Sequence, residues 1–188
     1  DYHGMRSGWT PTDESFPSRE KFTAGGSLEM TRELSENLDA RATVGSHVRQ
    51  PTLNELYRPY RVGNFSVDAN ENLVIERLTK LELGLDWQAS DRLFASFSLF
   101  RDHLRDSVAN VSSPADTNDA QRINLDRARA QGIEIALDWQ FADDLSLRLS
   151  SLLLDTEVTS CPENPGIGGN RFAQAPEHRS LSTACSVL

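Results

Sequence analysis

Two stretches of this chain carry the same side-chain alternation, and that alternation constrains the fold more than any other feature of the sequence. Leu81, Leu83, Leu85 and Trp87 fall on one parity; Glu82, Gly84, Asp86 and Gln88 fall on the other. A period of two residues belongs to an extended strand, whose successive side chains point to opposite faces. After the interval Ala89-Ser90-Asp91-Arg92 the alternation resumes with Leu93, Ala95, Phe97 and Leu99. Downstream, Ile133, Ile135, Leu137, Trp139 and Phe141 alternate with Glu134, Ala136, Asp138 and Gln140, and Leu145, Leu147 and Leu149 follow Asp143-Asp144. Aligning Leu85-Asp86-Trp87-Gln88 on Leu137-Asp138-Trp139-Gln140 brings Leu93 and Leu145 to the same offset, so these are two copies of one hairpin with one short turn. A looser third copy uses Phe22, Ala24, Gly26, Leu28 and Met30, turns over residues 33–36, and returns through Leu38, Ala40, Ala42 and Val44.

Between the hairpins lie long connections, residues 50–75, 103–123 and 159–172, rich in Asn, Asp, Pro and Gly. Short turns therefore alternate with long loops. A soluble sandwich has no reason to place every short connection at one end, whereas an outer-membrane barrel has short periplasmic turns and long extracellular loops. The predicted fold is all-β: an antiparallel up-and-down transmembrane β-barrel segment of about seven strands, the last begun by residues 175–188. Single-chain bacterial barrels have an even number of strands, so residues 1–188 read as part of one barrel domain. Trp87 and Trp139, each just before a short turn, suit a periplasmic aromatic girdle; core tryptophans of a soluble sheet are the plainer alternative. The opposite parity carries Glu82, Asp86, Ser96, Ser98, Glu134, Asp138, Ser146, Arg148 and Ser150, fit for a hydrated or plugged lumen, or equally for the wet face of an ordinary sheet.

Composition closes other routes. The 188 residues are 38% hydrophobic, and no run approaches the ~18 apolar residues of a membrane helix, so any bilayer is crossed by strands. With Lys and Arg totalling 19 against 28 Asp and Glu, the formal charge is −9, which disfavours nucleic acid as a partner. His3, His47, His103 and His178 are scattered without ligand spacing, and there is no nucleophile motif or phosphate-cradling loop. Gly166-Ile167-Gly168-Gly169-Asn170 precedes no helical pattern and reads as a loop tip; Asp116-Thr117-Asn118-Asp119 lacks the spacing of a calcium loop. No enzyme activity, cofactor or metal site is expected. Cys161 and Cys185 lack metal or redox spacing, and leave a disulfide open.

The loop text then becomes specific. Arg49-Gln50-Pro51-Thr52-Leu53-Asn54-Glu55-Leu56-Tyr57, followed by Gly63-Asn64, resembles the Arg-Ala-Pro-Thr-Leu-x-Glu-Leu stretch of TonB-dependent receptor barrels. Ala69-Asn70, Leu73, Glu76, Glu82 and Gly84 look like that family's Asn-Pro-x-Leu-x-Pro-Glu segment and its Glu-x-Gly strand. Asn124, Ala128, Gly132 and Glu134 are similar to its Asn-x-x-x-Ala-x-x-x-Gly-x-Glu, and residues 171–178 to its Arg-x-x-x-x-Pro-x-His. The matches run in family order from about Lys21 to the C-terminus. Gln50 departs from the usual Ala, and Glu71 and Ile75 stand where the family commonly has Pro, changes that touch loop rigidity and not the strand pattern.

The resemblance implies a Gram-negative outer-membrane location in contact with lipid. It also implies a parent with an N-terminal plug, a TonB box and a barrel of about 22 strands. Neither plug nor box is read in this chain, which opens Asp1-Tyr2-His3-Gly4 without a leader and closes on Val187-Leu188 without a terminal aromatic, as expected of a barrel fragment. The parent would engage TonB through its N-terminal segment and import a small-molecule nutrient: a metal chelate such as a siderophore, cobalamin or similar. Tyr57, Arg58, Tyr60 and Arg61 form an aromatic and cationic cluster suited to an anionic, ring-bearing ligand, or else to packing the loop against the barrel. Two other readings stay open: a soluble all-β binding module of carbohydrate-binding type, and a barrel piece with unpaired edges and no transport of its own.

Overall fold

The computed structural model describes residues 20–112, 118–172 and 175–186, with the side chains of 184–186 left aside. In chain order the strands are β1 (Gly26–Ser35), β2 (Leu38–Arg49), β3 (Tyr60–Val62), β4 (Phe65–Asp68), β5 (Glu76–Ser90), β6 (Leu93–Ser112), β7 (Asp119–Ala142), β8 (Leu145–Ser160) and β9 (His178–Ser186). A short helix α1 (Leu53–Tyr57) precedes β3, and a 3-10 turn (Pro165–Ile167) follows β8. Strands β1, β2, β5, β6, β7, β8 and β9 form an antiparallel meander that does not close. The two remaining strands form a small hairpin, and β4 runs parallel beside the first residues of β7.

The register converts the sequence alternation into continuous rows. Ala42, Leu83, Leu99, Ile133 and Leu153 stand opposite one another across five strands. So do Leu38, Trp87, Ala95, Leu137 and Leu149. Among the described residues nothing covers these rows: Leu83 is 51% exposed, Leu99 42% and Leu153 51%. At about 25 cal/mol per Å² of apolar surface, such a contiguous face is strongly unfavourable in water and belongs against lipid. Trp87 and Trp139 are exposed near the short-turn end, with the Trp139 and Phe141 rings 5.3 Å apart, as a boundary girdle requires.

Among the described residues the buried hydrophobic side chains lie at the other end. Leu56, Val67, Leu73, Ile75 and Ala120 are buried around the loop hairpin, while Ile123, Leu125, Val158 and Cys161 form a cluster onto which Ile167 and Phe172 pack.

Several expectations need correction. The two strong hairpins turn at residues 91–92 and 143–144, tighter by two residues in the first case, because extended backbone continues through Ser90. The third hairpin begins at Gly26 and turns at 36–37; Phe22 and Ala24 precede the strand. Residues 103–123 are mostly strand, since β6 runs to Ser112 and β7 starts at Asp119. These extensions lie past the apolar rows, so no alternation of hydrophobicity marks them. The Cys161 thiol is free and buried at the loop end. Strand β9 sets Cys185 opposite Ser146 at the turn end, about the length of β8 away, so the two cysteines do not meet.

Candidate functional site

The loop end is assembled on β7. Helix α1 starts with a capping box: the Thr52 hydroxyl accepts from the Glu55 N–H while the Glu55 side chain accepts from the Thr52 N–H. The Arg49 guanidinium donates to Glu55 at 2.9 Å and also pairs with Glu76, tying the end of β2 to α1 and to the start of β5. Burial pushes the Glu55 carboxyl up, but the hydrogen bonds from Arg49 and Thr52 outweigh it and hold the group below its ordinary range.

The other end of α1 is closed by Arg122, a residue of β7 only 6% exposed. Its guanidinium donates to the carbonyls of Asn54 at 2.8 Å and Arg58 at 3.0 Å, and its Cζ lies 5.2 Å from the centre of the Tyr60 ring. A buried cation is tolerable where carbonyls and an aromatic face surround it. Asn70 donates to the Arg122 carbonyl at 2.8 Å, and Asn124 accepts from the Val74 N–H at 2.9 Å. Arg122 and Asn124 share the parity of Glu134, and the β6–β7 register keeps one offset throughout. The 50–75 connection therefore folds over the polar face, across the mouth of the sheet.

The four residues singled out from sequence lie together in this connection and play different parts. Tyr57 ends α1 half-buried, and Arg58 follows it exposed, lending its carbonyl to Arg122. Tyr60 is 41% exposed, its hydroxyl accepting from Asn110 at 3.3 Å. Arg61 is exposed and donates to the Gly63 carbonyl at 2.9 Å, across the positive-φ turn that glycine permits. The cation over the Tyr60 ring is Arg122, not a sequence neighbour. Sequence reading missed Arg122 because its partners are carbonyl groups, which no residue type announces.

The polar face below the mouth holds a second assembly. Arg41 of β2 donates to Asp86 at 2.5 Å and to Glu82 at 3.3 Å, and reaches Ser98 of β6 at 3.1 Å. It crosses β5 at Gly84, its register partner, where an added Cβ would stand 2.8 Å from the guanidinium. At Gly132 an added Cβ would meet the main-chain carbonyl of Leu153 first and would stand 2.7 Å from the Phe100 ring. The glycines of the two strand motifs thus keep the inward face open to large neighbours. No cluster of His, Cys, Asp and Glu able to hold a metal occurs among the described residues.

An open antiparallel meander, apolar outside and ion-paired inside, with short turns at one end and a built loop assembly at the other, defines a segment of an outer-membrane β-barrel. Residues 9–180 match the family model described as TonB dependent receptor-like, beta-barrel, and the chain belongs to that family, whose members are outer-membrane transporters of Gram-negative bacteria and not enzymes. Members engage TonB and small-molecule ligands such as siderophores. The fold is similar to a ferric enterobactin receptor mutant from Pseudomonas aeruginosa (PfeA) in complex with enterobactin, with TM-score 0.63, 19% identity, and coverage of 85% of this chain and 25% of that one. It is also similar to the siderophore receptor PirA from Acinetobacter baumannii (TM-score 0.62, 18% identity, 84% and 26% covered). The copper transporter OprC gives TM-score 0.63 at 22% identity, with 84% and 23% covered. The chain thus spans about a quarter of the length of these structures. No curated protein is matched by sequence.

Proposed function

We propose that the whole of this chain is barrel, and that it belongs to a transporter that takes up a metal-bearing nutrient, of siderophore-chelate or metal-ion type, with energy delivered through TonB. The observation that supports it is the pairing of faces: exposed leucine rows outside, and inside an ion-paired wall beneath a loop assembly that covers the mouth. Solved structures of the same fold include receptors for ferric enterobactin and other siderophores and a copper transporter, which supports a metal-bearing cargo; the structures named above lend no support to cobalamin. TonB would act through a segment outside this sequence. In this reading Tyr60, Arg58 and Arg61, exposed on the loop hairpin, meet the incoming ligand, and Tyr57, half-buried, positions them. A soluble β-module would need a second layer over the leucine rows, and the described residues supply none.

The experiment is fractionation of the chain, expressed with an export signal in a Gram-negative host. The expected result is recovery with the outer membrane, released by detergent. A folded, monodisperse protein in the aqueous fraction would sink the proposal.

A further inference from the structure

At one level of the sheet several irregularities coincide. The ladder between β6 and β7 runs from Leu93 opposite Trp139 to Arg105 opposite Arg127, skips Asp106 and Asp126, and resumes with Ser107 opposite Leu125. Asp106 has φ +56°, the one positive value outside glycine among the described residues, a left-handed backbone that strains a residue with a Cβ. At the same level β6 loses β5, whose pairing ends at Arg105, and β7 loses β8, whose pairing slips beside Arg127 and ends there. Above this joint residues 107–112 and 119–125 continue as a two-stranded arm without barrel neighbours.

The 50–75 connection is fastened to this arm more firmly than to the rim it springs from. Strand β4 takes the edge of β7 that β8 has left, parallel to residues 119–121, with Val67 wholly buried opposite Ala120. Arg122 completes the attachment, its guanidinium on the α1 carbonyls and its own carbonyl accepting from Asn70. On the rim side Arg49, a half-exposed side chain, pairs with Glu55 of α1, and Glu76, which Arg49 also holds, accepts from the Val108 N–H just above the joint. Exposed ion pairs hold weakly, whereas a buried guanidinium and a strand ladder part only by leaving polar groups bare. Residues 159–172 touch the arm through the apolar cluster of Ile123 and Leu125, while the Gly169 N–H donates to the Val158 carbonyl at 2.8 Å and the Phe172 N–H to the Thr156 hydroxyl at 3.1 Å, both on β8. Apolar contact is non-directional and lets the two surfaces slide.

We propose that the 50–75 connection and the arm move as one rigid body over the mouth, pivoting where β6 and β7 leave the barrel at Asp106 and Asp126, and that Arg49 with Glu76 forms the latch that holds this body on the rim. A load on the exposed Tyr60 hairpin then reaches β6 and β7, although the chain itself joins that hairpin to β2 and β5.

The test measures spin-label distances in the full chain in neutral detergent, with labels placed in pairs at Val62 on the connection, Ser112 on the arm and Thr79 on β5, all exposed, in a Cys185→Ala background that leaves Cys161 buried. In the parent all three distance distributions are expected to be single and narrow. In Arg49→Gln and in Glu55→Gln, the distances from Val62 to Thr79 and from Ser112 to Thr79 are expected to shift together by several ångströms, while that from Val62 to Ser112 stays as in the parent. Arg122→Ala is expected to widen the distance from Val62 to Ser112. Movement of Val62 without Ser112, separation of Val62 from Ser112 in the latch variants, or parent distances in both of them overturns the proposal, as does an unchanged Val62 to Ser112 distance in Arg122→Ala. Should Arg49→Gln lose strand content, Glu55→Gln decides, because position 55 lies outside the sheet. Adding Asp106→Gly, which relieves the left-handed backbone, is expected to widen the Ser112 to Thr79 distribution further in the latch variants; no change there puts the pivot elsewhere and overturns the joint.

Discussion

Strand β7 passes through two regions built on opposite rules. From Ile133 to Phe141 its outward side chains are apolar and uncovered, and from Asp119 to Leu125 its apolar residues are buried under loops. The same strand needs no core in one half because lipid serves as its apolar surroundings, and must make one in the other half because water surrounds it. The polar groups follow the same division. In the membrane half they line one face and pair across strands, Arg41 with Asp86 and Glu82, Arg148 with Asp138. In the loop half, beside the Arg49 pairs with Glu55 and Glu76, they are spent on backbone, Arg122 holding the carbonyls of α1 and Asn124 those of Val74 and Asp106. Strands need register partners; irregular segments need side chains to satisfy their main chain.

The comparison breaks most readily at Leu83. A Leu83→Arg substitution places a charge in the middle of the lipid-facing rows and is expected to destabilise the bilayer-inserted form by about 2–4 kcal/mol, measured as a shift in denaturant midpoint. A negligible effect would mean that lipid does not touch this face.

Next in size is Arg122→Ala, which leaves carbonyls at the end of α1 without a donor in a buried place and is expected to cost about 1–3 kcal/mol, locally. Faster protease nicking within residues 50–75, with strand content and membrane recovery unchanged, is the expected result; loss of membrane recovery would show that the two halves are not separable.

The smallest effect concerns Glu55. Its pKa is lowered in the folded loop, so its contribution is fully present above the ordinary value of 4.5 and is lost as pH falls through the lower folded value. With a partly exposed carboxylate this is worth about 1 kcal/mol or less. Amide protection factors at residues 52–58, taken relative to the intrinsic exchange rate at each pH, are expected to fall below that value in the parent and to stay constant there in Glu55→Gln.

Legibility in the sequence followed the same boundary. Where lipid dictates one apolar parity, the strands could be read directly, and the Leu85-Asp86-Trp87-Gln88 alignment on Leu137-Asp138-Trp139-Gln140 is matched by equivalent places beside the turns. Past the membrane the outward parity turns to Arg101, His103 and Arg105, so the strand continuation through residues 103–112 has no hydrophobic mark and looked like loop. The family motifs located the 50–75 connection, and Tyr60 was picked for its affinity for cations. That the cation over its ring comes from β7, some sixty residues away in sequence, is a product of folding the connection across the mouth. Gly84 and Gly132 were visible as motif letters, but their reason, room for Arg41 at the one and for the Leu153 carbonyl and Phe100 at the other, needed the register.

The central claim is that alternate residues of one strand face lipid and water. Its most direct measurement is a nitroxide scan of residues 81–87 in bilayer-inserted protein, comparing collisions with oxygen, which concentrates in lipid, and with a water-soluble nickel chelate. The account predicts high oxygen accessibility at positions 81, 83, 85 and 87 and nickel accessibility at 82 and 86, in alternation, with Gly84 left unlabelled because any side chain there would meet Arg41. Uniform nickel accessibility at the odd positions, or no alternation, would contradict it.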